Sequence, residues 1–452
     1  MIVKNHQSHL FPHQTRPSSS QVNTQTHRPL NLQSTHNPIC HFFPPLPCWD
    51  TFFSPMSSLS HPAGITTLHR LSPEAWPALE ADLTGLSRHC PATLILPCHV
   101  RELGTEALHG IIRELAGASW LKRIIVGLDG ADAGEAAAAR ETFAGWPHNV
   151  LFLWSNSPAV LALENILKDA GQTTATSGKG RNVWLCAGLA LAAEPEDQPS
   201  VVAIHDCDIK NYSRELPGRL CHPLMTRQWG FRFNKGFYSR HSDQLHGRLQ
   251  RLLVRPLLRA MELRAGPMGV LQFFSAFRYP LAGESALDSA LLRRLNFSST
   301  WGLEMGLLEE VRRHLLPNAI CQTELCAAYD HKHQDLCPDD PSQGLHRMAR
   351  EVSGTILASV SGGTYPWREQ ILETWQTLAA DALRHAGAES ALNGLCHVPE
   401  QESLAVATFA KALQAALEEP APPSLLPSWE AAERAVPGIF PGLLATSESI
   451  GK

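Results

Sequence analysis

Long apolar runs are missing from this 452-residue chain. None reaches the roughly 18 residues that a membrane-crossing helix requires, so no helical span is expected. Excess positive charge is missing too. The 38 Lys and Arg residues stand against 43 Asp and Glu, a net charge of −5 that leaves no nucleic-acid footprint. A secretory cysteine framework is also missing. The 11 cysteines are scattered, partly inside apolar strand and helix patterns, which reads as reduced thiols in a cytoplasm. Finally, residues 1–65 nearly lack acidic side chains and apolar periodicity. They are rich in His, Pro, Ser, Gln, Thr and Asn, a composition that cannot offset its ordering entropy and predicts disorder. No charged start leads into an apolar core there, so the segment does not read as a signal peptide. An over-extended reading frame with Met56 as the start is the plain explanation; a His-rich metal-binding tail is the weaker one.

What is present begins at about residue 90. Thr93–Leu96 is an apolar run stopped by Pro97, and Leu103–Ala116 has helical spacing. Arg123–Leu128, ending at Asp129, then Val150–Trp154 and Val201–Ile204 read as further strands, with Arg181–Ala193 helical. This alternation predicts an α/β fold: a mostly parallel sheet with helices on both faces. Beyond about 340, Leu345–Val360, Trp367–Ala386 and Glu402–Glu418 are helical by spacing and Ala/Leu/Glu content, and Pro420–Pro423 breaks the last. The expected organisation is therefore a tail (1–65), an α/β domain (66–340), a C-terminal α-helical extension (341–436) and a loose end (437–452). The extension would pack on the α/β domain or serve self-association as a homodimer.

The strand Val201–Ile204 delivers Asp206 and Asp208, with Cys207 between them, to its C-terminal end, the edge where open α/β sheets bind ligands. A carboxylate there can hold a divalent ion against a diphosphate; the bland alternative is a solvated pair. Ser177-Gly178-Lys179-Gly180 precedes a helix. It lacks the spacing of a P-loop, yet glycines allow close backbone approach and Lys179 offers a point charge to phosphate. Arg248, Arg251, Arg255 and Arg259 recur on one helical face after Gly247, opposite leucine pairs that demand burial. Arg248 at the first turn could fork onto a phosphate or carboxylate, against a solvated basic stripe. The turn Pro280–Glu284 can bring small-residue backbone against a sugar. Glu304 sits among apolar residues and glycines, so it needs a partner, whether sugar hydroxyls or a helix end. His331 could complete a metal site begun by Asp208. Zinc held by Cys321, Cys326, His331, His333 and Cys337 is the competing reading, with spacings unlike the usual patterns.

Taken in order, Leu96-Pro97-Cys98 with Glu102, Gly178-Lys179-Gly180, Asp206-Cys207-Asp208, Lys235-Gly236-Phe237-Tyr238, Gly247-Arg248 with Arg255–Leu258, Pro280–Glu284, Gly302–Gly306 and His331 resemble the glucosyl-3-phosphoglycerate synthase family. The resemblance covers about residues 92–337 and implies a retaining GT-A glycosyltransferase using a nucleotide-activated glucose, such as UDP-glucose, and a small anionic acceptor. It also implies roles. Pro97 and Glu102 would line the base and ribose, and Lys179 and Asp206 would meet the nucleotide and donor sugar. Asp208 and His331 would hold Mg²⁺, Mn²⁺ or Co²⁺. Leu281, Ala282, Gly283 and Glu304 would hold the glucose, and Gly247 and Arg248 the acceptor. Gln250 departs from the family's acceptor-side Thr, and His99-Val100-Arg101 from its commoner turn. Alternatives are a mannosyl- or glucosyltransferase acting on another acceptor such as glycerate, or a non-catalytic sugar-nucleotide-binding protein.

Overall fold

The computed structural model describes residues 64–450, apart from 176, 333, 362–367 and 420–424. The expected disorder of residues 1–65 lies outside these up to 63, whereas Ile65 is buried in the core; the break at Pro420–Pro423 also lies outside the described residues. The strands are β1 (Thr66–Leu68), β2 (Ala92–His99), β3 (Leu121–Asp129), β4 (Val150–Trp154), β5 (Val201–Ile204), β6 (Phe233–Tyr238), β7 (Ser285–Asp288), β8 (Phe297–Ser298), β9 (Ile320–Cys326), β10 (Leu425–Leu426) and β11 (Glu448–Ile450). Nine form one sheet in the order β1-β9-β6-β7-β5-β2-β3-β4-β11, while β8 and β10 pair separately. The sheet is parallel except where β7 meets β5 and β6 and where β11 meets β4.

The strands are apolar on both sides because both faces are covered. Leu94 and Leu96 enter one core with Ile111, Phe143 and Leu220, while Ile95 enters the other with Trp184 and Leu189. The helices Gly344–Ser361, Arg368–Leu392 and Pro399–Glu418 bury Ile356, Trp375 and Phe409 in that second core. The extension thus shares the sheet's own hydrophobic core.

Two expectations are corrected. Pro97 does not end β2, which runs on to His99. The carbonyl of Ile95 accepts from the His205 N–H, so Pro97, of the same parity, turns its ring nitrogen to that side. There β5 has already ended at Ile204, and no ladder bond is lost. Nor is the chain end loose. Ile439–Ala445 is helical and β11 pairs antiparallel with β4. Ile439, Phe440 and Leu443 make one apolar stripe and are buried. Nearby, Trp429 stacks on Trp184 with ring centroids 4.4 Å apart, in space left open by Gly188.

Candidate active site

The helix Lys179–Ala192 begins at the carboxyl edge of the sheet. Asn182 anchors it there, donating from Nδ2 to the Gly127 carbonyl at the end of β3 at 2.7 Å. The flanking glycines serve packing here. Gly178 has φ +119°, and a Cβ on Gly180 would overlap the Ser298 carbonyl of β8. Lys179 is thereby set at the first helical position with its side chain reaching Asp206 and Glu304. Its Nζ lies 2.7 Å from Asp206 Oδ1 and 3.1 Å from Glu304 Oε1. Glu304 occupies the first turn of the helix Leu303–His314. The partner this carboxylate requires is therefore an ammonium.

Electrostatics follow from this bridge. Burial works against the Lys179 charge, but Asp206 and Glu304 overcome it and hold the ammonium well above its ordinary range. Burial likewise pushes the Asp206 carboxyl up; Lys179, His331 and His205 outweigh it and leave Asp206 below the usual carboxylate range. Directly opposite stands Gly283, where a Cβ would come within 2.5 Å of Asp206 Oδ2. Glycine is what lets the Leu281–Gly283 backbone meet this carboxylate.

Beyond Asp206 the chain is zipped to the segment that carries His331. Ile209 bridges to His331, and the Lys210 N–H donates to the Asp330 carbonyl at 2.8 Å. His331 Nδ1 lies 3.5 Å from Asp208 Oδ2. Asp208 Oδ1 is buried with no hydrogen-bond partner among the described residues, a state that asks for a cation. Asp208 and His331 would together hold a divalent ion, since a carboxylate and an imidazole suit Mg²⁺ or Mn²⁺, and the ion would supply positive charge to a diphosphate. A full protein cage is not assembled: among the described residues no group of three or more His, Cys, Asp or Glu side chains could hold a metal. The zinc reading therefore fails on them. The Cys321 thiol is buried and faces the Phe233 carbonyl at 3.7 Å, and His333 lies outside the described residues. Lys332 Nζ donates to Glu102 Oε1 at 2.7 Å, which ties the turn after Pro97 to the same corner.

Arg248 is placed differently from expectation. It precedes a π-helical turn, Leu249–Val254, and donates from Nε to Glu402 Oε1 and from Nη2 to Gln401 Oε1, both at 3.0 Å. Arg251 forks onto the same Glu402 at 3.0 and 3.2 Å. The anion at this fork is a carboxylate of the C-terminal extension. Gly247, at φ +69°, admits the Tyr279 hydroxyl, which a Cβ would meet at 2.8 Å.

Sequence reasoning quoted Lys235, Tyr238 and Glu284 in motifs without giving them a role. Glu284 is fully buried and accepts from the Tyr238 hydroxyl at 2.6 Å and from the Tyr329 hydroxyl. Burial first, and Asp206 next, push its carboxyl up. Lys235 is buried beside it. The signal available was a lysine and a carboxylate within otherwise small or aromatic strand residues.

No family model matches the chain. The glucosyl-3-phosphoglycerate synthase of Persephonella marina is 33% identical over 392 residues, covering 85% of this chain and 96% of that protein. The chain belongs to the glucosyl-3-phosphoglycerate synthase family. The synthase of Methanococcoides burtonii is 32% identical over 387 residues, covering 83% of this chain and 94% of its own length. Among solved structures, the Mycobacterium tuberculosis synthase in complex with Mn²⁺, UDP-glucose and phosphoglyceric acid aligns with TM-score 0.46 and 26% identity, over 65% of this chain and 87% of that one. Membership of the glucosyl-3-phosphoglycerate synthase family makes this chain an enzyme, a glycosyltransferase. Among the described residues no helix is long and apolar enough to cross a membrane.

Proposed function

We propose that this chain transfers glucose from a nucleotide-activated donor, UDP-glucose, to 3-phosphoglycerate, with retention at the anomeric carbon. The observation that carries the reading is Lys179 held between Asp206 and Glu304 beside the Asp208–His331 pair. In this reading Pro97 and Glu102 line the base and ribose, and the Leu281–Gly283 backbone holds the donor sugar. A divalent ion at Asp208 and His331 supplies, when bound, positive charge to the departing diphosphate. Lys179 adds a fixed cation on the same side, aimed at charge that grows as the glycosidic bond breaks. Glu304 and the loop orient the sugar while its anomeric carbon gains oxocarbenium character. The acceptor hydroxyl attacks from the face the diphosphate leaves, and a diphosphate oxygen takes its proton. The nine unpaired cysteines among the described residues support a reducing, cytoplasmic setting.

A second reading concerns the acceptor alone. Arg248 already spends two donor groups on Glu402 and Gln401, which favours an acceptor with less anionic charge, such as glycerate. A donor-by-acceptor screen with Mg²⁺ or Mn²⁺ and product mass tests both. Glucosyl-3-phosphoglycerate as the main product supports the first reading, and glucosylglycerate the second. Chelation is expected to abolish turnover, and Asp208→Ala to lower kcat by orders of magnitude with the melting temperature retained. Full turnover after exhaustive chelation would sink the metal assignment.

A further inference from the structure

Three attachments hold the corner between Tyr279 and β7 to β6. The Gly236 N–H donates to the Glu284 carbonyl at 2.9 Å. The Tyr238 hydroxyl donates to the Glu284 carboxylate at 2.6 Å. Between them Lys235, 1% exposed, donates from Nζ to the Ala282 carbonyl at 2.5 Å and to Ser285 Oγ at 3.2 Å. A buried ammonium is a costly way to satisfy one carbonyl, since a neutral donor would do so without desolvating a charge. The Ala282 peptide it grips leads directly into Gly283, the residue in contact range of Asp206.

We propose that Lys235 is a positioning residue for glucosyl transfer: its ammonium fixes the Ala282–Gly283 backbone against Asp206 so that the donor sugar is held in reacting register. This rests on the reading of Leu281–Gly283 as the sugar-facing loop. The hydrogen bonds of Lys235 run to Ala282 and Ser285, on either side of Gly283 and Glu284, so its influence is on the loop read as facing the sugar. The charged groups that face it are Glu304, Glu284, Lys179 and Asp206. Burial dominates over the carboxylates among them and brings the ammonium down to about 8. Lys235 is thus charged at neutral pH, and its hold on the two acceptors weakens from a charge-assisted to a neutral one as pH rises through that value.

The test uses the full-length protein with Mn²⁺ and UDP-glucose. Lys235→Met is expected to lower kcat about 100-fold, the scale of a 1 Å misplacement, while UDP affinity by calorimetry stays within about threefold of the parent. Lys235→Arg keeps a cation that does not titrate in this range. It is expected to recover part of kcat and to weaken any fall in kcat above pH 8 relative to the unaltered enzyme. Lys235→Met with full kcat would overturn the proposal. So would Lys235→Met with UDP affinity and melting temperature falling together, which would mark a structural residue. Gly283→Ala separates the underlying reading. If it keeps full kcat, the sugar-loop reading fails; if it is inactive while Lys235→Met is fully active, only the Lys235 proposal fails.

Discussion

Lys179 and Arg181 stand two positions apart at the start of one helix, and both meet carboxylates. Arg181 is fully buried, and four of its five N–H donors are accounted for. Nε and Nη2 fork onto Glu164 at 2.8 and 2.6 Å, Nη2 also reaches the Ser155 carbonyl at 2.7 Å, and Nη1 reaches Asn156 at 3.3 Å. Lys179 keeps 22% of its side chain exposed and shares one ammonium between two carboxylates that themselves open onto the cleft. Full burial and a bidentate partner mark the first cluster as a fastening between the helix and the segment after β4. Partial exposure and shared partners mark the second as a site whose hydrogen-bonding capacity is left for a ligand. Two residues of separation on a helix place side chains on different faces, which is how one turn serves both purposes.

The comparison makes opposite demands on the two residues. Arg181→Met leaves Glu164 buried and unpaired. It is expected to destabilise the fold by about 3–5 kcal/mol, read by denaturant unfolding, with kcat per folded molecule unchanged. Lys179→Met removes a charge from a part-open site. It is expected to lower kcat by about 10²–10³-fold, the usual cost of one lost donor to developing charge, with little change in unfolding midpoint. A Lys179→Met protein that melts early yet turns over normally would erase the distinction.

Much of the sheet is legible in the sequence because its strands are buried on both faces. Runs such as Arg123–Leu128 and Val150–Trp154 need no alternation to stand out, and the observed strands contain them. Asp206, Asp208, Lys179 and Glu304 could be nominated because each is a polar group beside apolar or glycine-rich residues, and His331 because an imidazole can complete a metal site begun by a carboxylate. Their mutual contacts could not be, since Lys179 and Glu304 are 125 positions apart. Pro97 misled because a proline reads as a stop unless the neighbouring strand is known to have ended first. The contacts of Arg248 were hidden for a similar reason: its carboxylate partner comes from Glu402, 154 positions away, on a helix whose placement local spacing cannot give. The end of the chain was discounted because its helix, Ile439–Ala445, spans only seven residues. Such a piece has little helical tendency alone and is fixed by burial of Ile439 and Leu443.

That terminal segment gives the mildest test of the division between fastening and site. β11 adds three residues to the edge of β4, opposite Val150–Phe152 at the start of that strand, away from the sheet's carboxyl edge. Its side-chain anchor is Glu448, which accepts from Arg140 Nε and Nη2 at 2.5 and 2.6 Å in an exposed setting. Exposed pairs contribute about 0–1 kcal/mol, and a three-residue edge strand leaves the apolar stripe of Ile439–Ala445 in place. Deleting residues 447–452 is therefore expected to lower stability by about 1 kcal/mol, a shift of roughly 2 °C or less in melting temperature for a chain of this size. Neither kcat nor the KM for UDP-glucose is expected to change. The measurement that checks this is a paired thermal melt and steady-state assay of the truncated and full chains. A fall in kcat larger than the loss of folded protein would mean that the edge strand reaches the cleft through β4. In that case the fastening elements and the site could no longer be treated as separate.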